Sequence, residues 1–212
     1  MIKKISTISI NNYWNKYYKK TKYDEQSSFA SFVLKKLKNK KNLNLADIAC
    51  GNGRDTIFFY KNNLKVIGFD QSSNVVRNNK KKFGNFFLTI NFCKKNLKIN
   101  QKFDIFYIRF FFHAITEKME MNFLKNLKKT SKKKTIFFCE FRTDKDPLIK
   151  KGIKISRFER FDTHYRRFIE LKSFKKRLRY NKFKILYEKT SNKFAIKKKD
   201  KPSICRMIFT NA

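Results

Sequence analysis

The sequence predicts an α/β fold with a doubly wound, mostly parallel sheet that ends in an antiparallel hairpin. Strand-type and helix-type segments alternate between residues 42 and 141. The strand-type segments are almost continuously apolar, which is typical of parallel strands covered on both faces. A short polar link, 191–202, separates the last two strand-type segments and indicates the hairpin.

Seven segments are predicted as strands because they are short, apolar and rich in β-branched or aromatic residues: 42–49, 64–70, 85–92, 102–110, 133–141, 182–190 and 203–211. Four segments between them are predicted as helices: 54–63, 72–83, 116–129 and 169–181. Ser72 can cap the second helix, and the apolar residues of the third recur at close to helical spacing.

The length of 212 residues is suited to a single domain with one sizeable core. Residues 1–41 are predicted to form one or two amphipathic helices ahead of the sheet. Residues 142–168 are polar and irregular, and no internal repeat is found. The chain is therefore expected to fold as one unit.

The net charge of +37 results from 53 basic and 16 acidic side chains. Such a charge points to a polyanionic partner: nucleic acid, an anionic membrane or a phosphorylated substrate. Lys, Asn, Ile and Phe make up 109 residues, and all four have A- and T-rich codons, so genome composition is the alternative explanation. On either explanation we expect non-specific nucleic-acid binding at low salt.

The cysteines are four in number and form no C-x-x-C pair, and the two histidines give a zinc site poor spacing. We therefore expect no metal and four free thiols, which suit a reducing cytosol. No continuous apolar segment of a signal peptide opens the chain, and no apolar run approaches membrane-spanning length. The expected location is cytoplasmic, with no membrane span.

The stretch "LADIACGNGRDTIFF", residues 45–59, places two glycines on a predicted strand-to-helix turn. Gly51 and Gly53 allow a sharp turn and close approach of a ligand to the backbone. Asp70 ends the next predicted strand, 19 residues after Gly51, and is suited to ribose hydroxyls. The alternative is a tight turn without a ligand. The dinucleotide-binding pattern G-x-G-x-x-G needs a third glycine, and Thr56 stands at that position. A dinucleotide ligand is therefore disfavoured.

The pattern D-x-x-C-G-x-G-R-D, from Asp47 to Asp55, followed by "VIGFDQS", resembles class I S-adenosylmethionine-dependent methyltransferases. The resemblance implies a Rossmann-like, seven-stranded fold and S-adenosylmethionine as cofactor. It also implies a division of the single domain 1–212 into a helical lid (1–41), a cofactor-binding half (42–141), and an acceptor lid with a hairpin (142–212).

The resemblance assigns cofactor contacts residue by residue. It matches Asp47 to the acidic start of the first motif, Ala49 and the two glycines to the methionine end, and Asp70 to the ribose. The full expected set is Trp14, Asp47, Ala49, Gly51, Asn52, Gly53, Arg54, Asp70, Gln71, Ser72, Asn91, Phe92 and Arg109. Ala49 departs from the family, which more often has glycine there, and Asn91 stands where the family often has Asp.

The segments "YWNKYY", "CGNGRD" and "RFFFHAI" resemble the small-molecule branch, with its tellurite-resistance, thiopurine-type and surface-glycan members. This implies a small or glycan-linked acceptor, expected to be anionic and methylated at oxygen. The proline motifs of enzymes that methylate exocyclic adenine nitrogens and cytosine C5 are missing. An RNA methyltransferase and a non-catalytic cofactor-binding module remain the alternatives.

His113 and Arg109 are the predicted catalytic residues, because they follow or end the fourth strand near the expected methyl group. His113 could act as a general base for an acceptor hydroxyl. The alternative is a histidine packed among neighbouring phenylalanines. Arg109 lies in an apolar run, so it should be paired or face a cavity, where it could contact the acceptor or the methionine carboxylate.

The segment "DTHYRRF", residues 162–168, concentrates hydrogen-bond donors that could hold a phosphate or carboxylate. A salt-bridged surface patch is the alternative. Trp14, Tyr17 and Tyr18 form either an aromatic lid or a helix-packing cluster. The predicted acceptor-binding residues are Tyr18, Glu140, Arg142, His164, Tyr165, Arg166 and Arg167.

Overall fold

The computed structural model describes residues 13, 14, 17, 25–38, 42–196 and 201–211. The α-helices that lie wholly within these ranges are α1 (Ser28–Lys36), α2 (Arg54–Lys61), α3 (Ser73–Phe83), α4 (Glu117–Lys129) and α5 (Leu171–Tyr180). The strands are β1 (Asn44–Ile48), β2 (Lys65–Asp70), β3 (Phe87–Thr89), β4 (Phe103–Arg109), β5 (Ser131–Arg142), β6 (Ile153–Lys154), β7 (Glu159–Phe161), β8 (Tyr165–Arg167), β9 (Phe183–Ser191) and β10 (Ile204–Asn211).

The main sheet has seven strands in the order β3-β2-β1-β4-β5-β10-β9. Its neighbours pair in parallel, except that β10 is antiparallel to both β5 and β9. The predicted fold class is confirmed. The strand order reverses at β1, and the crevice outside the carboxyl ends of the strands at such a point is where α/β sheets bind ligands.

Helices cover both faces of the sheet, as β4 illustrates. Ile105 and Tyr107 pack with α1 and α2 on one face, whereas Phe106 and Ile108 pack with α4 on the other. Side chains alternate along a strand, so an almost entirely apolar strand is stable only when both faces are covered. The continuous apolar runs in the sequence therefore have a direct structural reason.

Phenylalanine rings stack from strand to strand through the centre of the sheet. Phe137 on β5 lies between Phe106 on β4, with ring centroids 5.2 Å apart, and Phe209 on β10, with centroids 4.8 Å apart. All three side chains are fully buried. Burying one such ring contributes roughly 1.5–3 kcal/mol, so this row stabilises the join between the parallel strands and the hairpin.

Two segments differ from the prediction. The strand expected at 85–92 is paired only over Phe87–Thr89, because the Asn91 side chain accepts a hydrogen bond from the Cys93 amide at 2.8 Å and turns the chain. The segment 142–168, expected to be irregular, contains a three-stranded antiparallel sheet, β6-β7-β8. Its strands are two or three residues long, too short for periodicity to reveal.

The N-terminal region is described only in part. It contains α1, and Tyr13, Trp14 and Tyr17 are helical. The remaining residues up to 24, including Tyr18, lie outside the described residues. Every helix in the described part of the chain is too short or too polar to cross a bilayer.

A buried ion cluster attaches the small sheet to the main one. Glu120 on α4 is fully buried and pairs with Arg167 on β8 and, at 2.5 Å, with Arg177 on α5. Arg167 also donates to the carbonyl oxygen of Phe112 at 3.2 Å. Glu117 contacts the same two arginines at 3.3–3.7 Å, but its side chain is 63% exposed.

We expect Glu120→Ala to lower the free energy of unfolding by about 3–5 kcal/mol, because two largely buried guanidinium groups lose their charge partner. Glu117→Ala is the matched control and should cost about 1 kcal/mol or less, since that carboxylate is exposed and screened. Urea unfolding of both variants measures the difference. Equal losses would contradict a structural role for the buried carboxylate.

Candidate active site

A cavity of about 680 Å³ lies at the carboxyl ends of β1, β2 and β4. This volume is within the range of small-molecule sites. The predicted site residues that line it are Trp14, Asp47, Ala49, Asn52, Arg54, Asp70, Gln71, Ser72, Asn91, Phe92, Arg109, His113, Arg142, His164 and Arg166. Gly51, Gly53, Glu140, Tyr165 and Arg167 are not among the lining residues.

The turn between β1 and α2 uses three residues with positive φ. Gly51 has φ 54° and Gly53 has φ 76°, and a Cβ on Gly53 would come within 2.9 Å of the Phe87 ring. Ala49 also has a positive φ, of 56°. L-residues with a Cβ adopt this region at a cost, which is a physical reason for the glycine that the methyltransferases resembled by this turn more often have at that position.

Asp70 and Asn79 hold the turn in place. The Gly51 amide donates to Asp70 Oδ2 at 3.1 Å, and the Asn79 amide group donates to the Gly51 carbonyl at 2.7 Å. Asn79 is a residue that the sequence reasoning missed. The spacing of Asn79 in the sequence could have revealed it, because it follows Val75 by four residues and so lies on the buried face of α3.

Asp70 retains the capacity to accept hydrogen bonds from a ligand. Its Oδ1 accepts from the Ser72 amide at 2.9 Å, and its Oδ2 accepts from Gly51. A carboxylate offers about four acceptor sites, so acceptor capacity remains for a ligand. Burial raises the pKa of Asp70, and backbone hydrogen bonds from Ser72, Gly51 and Gln71 oppose this rise. The group can therefore accept a hydrogen bond from a ligand hydroxyl.

Thr56 stands where a dinucleotide-binding turn has its third glycine, and here it has its own role. Its hydroxyl donates to Asp47 Oδ2 at 2.6 Å. Burial raises the pKa of Asp47 well above its usual value, while the Thr56 hydrogen bond acts in the opposite direction. Thr56 thus satisfies a buried carboxyl that lines the cavity.

A second buried carboxyl, Asp55, joins the N-terminal segment to the turn. It accepts hydrogen bonds from the Ser27 amide at 2.7 Å, the Ser27 hydroxyl at 2.8 Å and the Tyr107 hydroxyl at 2.6 Å. All three residues line the cavity, and none was predicted as a site residue. Ser27 also caps α1. Its capping pattern was readable from the sequence, but its contact with Asp55 spans 28 residues and was not.

His113 lies buried at the cavity with one ring nitrogen already engaged. Its Nδ1 faces the Arg142 amide, which donates to it at 3.4 Å. The ring proton therefore belongs on Nε2. Burial and the nearby Arg142 and Arg166 charges lower the pKa of His113 well below its usual value. This arrangement favours a neutral hydrogen-bond donor over the general base considered from the sequence.

Glu140 is fully buried between two arginines on neighbouring strands. It accepts from Arg109 Nε at 3.0 Å and from Arg206 Nε at 2.8 Å. Arg206 in turn donates to the Ser28 hydroxyl at 2.9 Å. Glu140, predicted to contact the acceptor, thus orients Arg109 at the cavity wall. Arg109 also lies over the ring of Phe110, whose φ of 54° is unusual for a bulky residue.

The two arginines of β8 have different environments. Arg166 lines the cavity, and within the described part of the chain no carboxylate lies within 4 Å of its guanidinium group. Burial and the Arg142 charge lower the pKa of Arg166. Arg167 turns to the opposite side and pairs with Glu120. Tyr165 on that same side donates to Glu159.

His164 is held between Arg166 and the N-terminal aromatic residues. Its Nε2 accepts from Arg166 at 3.1 Å, and its ring stacks on Tyr13 with centroids 4.2 Å apart. The ring centroid of Trp14 lies 5.3 Å from that of His164. Burial and the Arg166 charge lower the pKa of His164 to about 3. Both described histidines are therefore neutral at physiological pH.

The loop between β9 and β10 also reaches the cavity, which the sequence did not indicate. Lys193, Ala195 and Ile196 line the wall. Phe194 between them packs against the Arg206 guanidinium, 4.1 Å from its ring centroid. The sequence showed only a polar link here, and no local pattern places it near β1.

The charges that line the cavity are separated by position. Among the described lining residues, all three acidic ones, Asp47, Asp55 and Asp70, lie on or beside β1 and β2. Four of the five basic ones in the same described set lie on or after β4, namely Arg109, Arg142, Arg166 and Lys193, whereas Arg54 follows the turn. The cavity therefore has an acidic end and a basic end.

Comparison with known proteins identifies the family to which this sequence is similar. Residues 39–200, more than half of the chain, match a family described as "Methyltransferase domain". No curated protein matches the sequence.

Several solved structures share the fold. An S-adenosylmethionine-dependent methyltransferase from Clostridium acetobutylicum superposes with a TM-score of 0.70 at 14% identity, over 95% of this chain and 96% of that one. The glycopeptide N-methyltransferase MtfA with sinefungin gives 0.69 at 11% identity, over 92% and 90%. The 1,6-didemethyltoxoflavin-N1-methyltransferase of Burkholderia thailandensis gives 0.64 at 13% identity, over 87% and 76%.

We expect Arg167→Ala to lower the free energy of unfolding by about 3 kcal/mol, because it leaves Glu120 buried with less charge compensation. Arg166→Ala should change it by less than about 1 kcal/mol, since no carboxylate within 4 Å in the described part of the chain loses a partner. Urea denaturation of the two neighbouring variants gives the comparison. A larger loss for Arg166→Ala would show that its charge is structural.

The stability of the protein should fall as the pH drops from 7 to 5. The folded-state pKa of His164 is below its unfolded value of 6.5, so below that pH the unfolded chain binds a proton that the folded chain excludes. This difference amounts to about 2 kcal/mol over the interval. Between pH 7 and pH 5, His164→Gln should lose about 2 kcal/mol less of its free energy of unfolding than the parent protein. The other titratable groups contribute equally in the variant and in the parent. Equal losses in urea titrations at the two pH values would contradict a buried, neutral His164.

Proposed function

Because this chain belongs to the methyltransferase domain family, we propose that it methylates a small or glycan-linked anionic acceptor with S-adenosylmethionine as cofactor. The observation that carries the proposal is the charge separation within one cavity. An acidic end suits the cationic amino and sulfonium groups of the cofactor, and a basic end suits an anionic acceptor.

The cofactor would be held at the acidic end. Asp70 would accept hydrogen bonds from the ribose hydroxyls, Gln71 and Ser72 would flank the adenine, and Asp47 would lie toward the methionine part. The turn of Gly51 and Gly53 supplies the backbone conformation there. When bound, S-adenosylmethionine supplies a methyl group on a positively charged sulfur.

The acceptor would be held at the basic end. Arg166 offers a guanidinium group with no close carboxylate in the described part of the chain. Arg142 also lines this end, although Asp146 pairs with it at 2.7 Å. Lys193 supplies a third charge from the β9–β10 loop. Guanidinium groups bind carboxylates and phosphates in a fixed, bidentate geometry, so an acidic group on the acceptor would be oriented as well as bound.

The acceptor atom in this proposal is an oxygen that is already anionic at neutral pH. The Nδ1 lone pair of His113 is engaged by a backbone amide, and the Nε2 lone pair of His164 is engaged by Arg166. An anionic oxygen needs no general base, so the residues would act by positioning and by excluding water. His113 would donate from Nε2 to orient the acceptor.

Asp70→Ala should abolish binding of S-adenosylmethionine, measured by isothermal titration calorimetry, because the ribose loses its acceptor. Arg166→Ala is the control and should leave cofactor affinity within about threefold. Unchanged affinity in Asp70→Ala would mean that the ribose lies elsewhere. Absence of binding to the parent protein at millimolar cofactor would reject the enzyme and favour a non-catalytic role.

The acceptor class is tested by transfer of a labelled methyl group to matched pairs of compounds, each a carboxylate or phosphate beside its neutral amide or ester. We expect transfer to the anionic member only, with at least tenfold loss in kcat/KM in Arg166→Ala. Preferred methylation of the neutral members would contradict an anionic acceptor.

A further inference from the structure

A second concentration of charge lies on the edge of the main sheet that is opposite the cavity. Parallel strands begin at this edge, and the helices that connect them end there. We define the basic edge as residues 97–104, 125–134 and 180–184, all of which the structure describes. They contain the start of β4 with the chain before it, the end of α4 with the start of β5, and the end of α5 with the start of β9.

Direct contacts make these three segments one continuous surface. Lys129 donates to the carbonyl oxygen of Leu97 at 3.1 Å, and Lys128 donates to that of Asn181 at 3.4 Å. Lys132 pairs with Asp104 at 2.9 Å. The lysines of the three segments are therefore neighbours in space as well as members of a basic sequence.

The basic edge has ten lysines and one acidic residue, Asp104. Nine of the lysines are exposed, and Lys132 is half-buried. Helix-terminal lysines are common because they complement the helix dipole, which accounts for Lys128 and Lys129. The helix dipole does not account for the six lysines that lie outside helices and form no ion pair within the basic edge: Lys98, Lys102, Lys133, Lys134, Lys182 and Lys184.

Tyr180 is the one exposed large hydrophobic side chain on the basic edge, at 79% exposure. It lines a shallow groove with Lys125, Lys128, Lys129 and Lys182. A membrane-binding surface usually combines lysines with several apolar anchors, which this surface lacks. A single aromatic ring among lysines instead matches the way proteins bind single-stranded nucleic acid, where bases stack on aromatic side chains.

We propose that the basic edge binds single-stranded nucleic acid through its phosphates, with Tyr180 as a stacking platform and without reading the sequence. Lysine is a point charge that lacks the planar fork of arginine, so it neutralises phosphates without base readout. The length of β4 places this surface roughly 20 Å from the cavity. Binding here is therefore separate from methyl transfer, unlike binding by an RNA methyltransferase, which must bring RNA to the cavity.

The test compares two variants that remove the same charge from different places. The first carries Lys98→Gln, Lys102→Gln, Lys125→Gln and Lys133→Gln on the basic edge. The second carries Lys150→Gln, Lys151→Gln, Lys154→Gln and Lys172→Gln, which are exposed and lie outside it. Fluorescence anisotropy with a labelled 20-nucleotide RNA of mixed sequence gives affinities from 50 to 300 mM salt.

We expect the first variant to bind at least tenfold more weakly at 100 mM salt, with a salt-dependence slope lower by about 3, since each lysine releases about 0.7 counterion from a single strand. The second variant should stay within about threefold of the parent. Tyr180→Ala should weaken binding by about fivefold or more.

Equal loss in the two charge variants would overturn the proposal, because binding would then follow net charge alone. Binding to vesicles rich in phosphatidylserine with no binding to the RNA would also overturn it. Calorimetry with S-adenosylmethionine on both charge variants checks that they are folded, and its outcome is independent of the RNA result.

Discussion

The scarcity of carboxylates in this chain is the constraint on which the rest of the structure depends. There are 16 acidic side chains for 53 basic ones. Several of the acids are buried, and each of these needs a partner. Glu120 forms ion pairs with Arg167 and Arg177, and Glu140 forms ion pairs with Arg109 and Arg206. The acids are therefore used to hold elements together, and basic groups such as Arg166 are left facing the cavity.

The same constraint explains why the cavity has two ends. Asp47 and Asp70, at the ends of β1 and β2, are held by hydroxyl and backbone donors rather than by arginines: Thr56 donates to Asp47, and Gly51 and Ser72 donate to Asp70. Burial raises the pKa of both carboxyls, so a cationic ligand placed beside them would stabilise their charged forms. On the other side of β4, buried carboxylates fix Arg109 and Arg167, whereas no carboxylate in the described part of the chain lies within 4 Å of the Arg166 guanidinium group. A cationic cofactor and an anionic acceptor fit this arrangement together.

The sequence predicted the features that depend on local pattern. Apolar runs predicted the seven strands, and the two glycines followed by Asp70 predicted the turn and an acid that lines the cavity beside it. It did not predict contacts between distant segments, such as Ser27 with Asp55 or the loop at Lys193 with the cavity, because no local signal encodes them. Alternation along a three-residue strand is equally invisible, so the adjacent Arg166 and Arg167 could not be told apart.

The most direct measurement of the central claim is a crystal structure with S-adenosylhomocysteine bound. The account predicts ribose hydroxyls within hydrogen-bonding distance of Asp70, the adenine beside Gln71 and Ser72, and the sulfur facing the side of the cavity that holds His113 and Arg166. A nucleoside lying among Arg142, His164 and Arg166, with Asp70 unoccupied, would contradict it. The position of the sulfur would also fix which cationic side chain lies nearest to the acceptor.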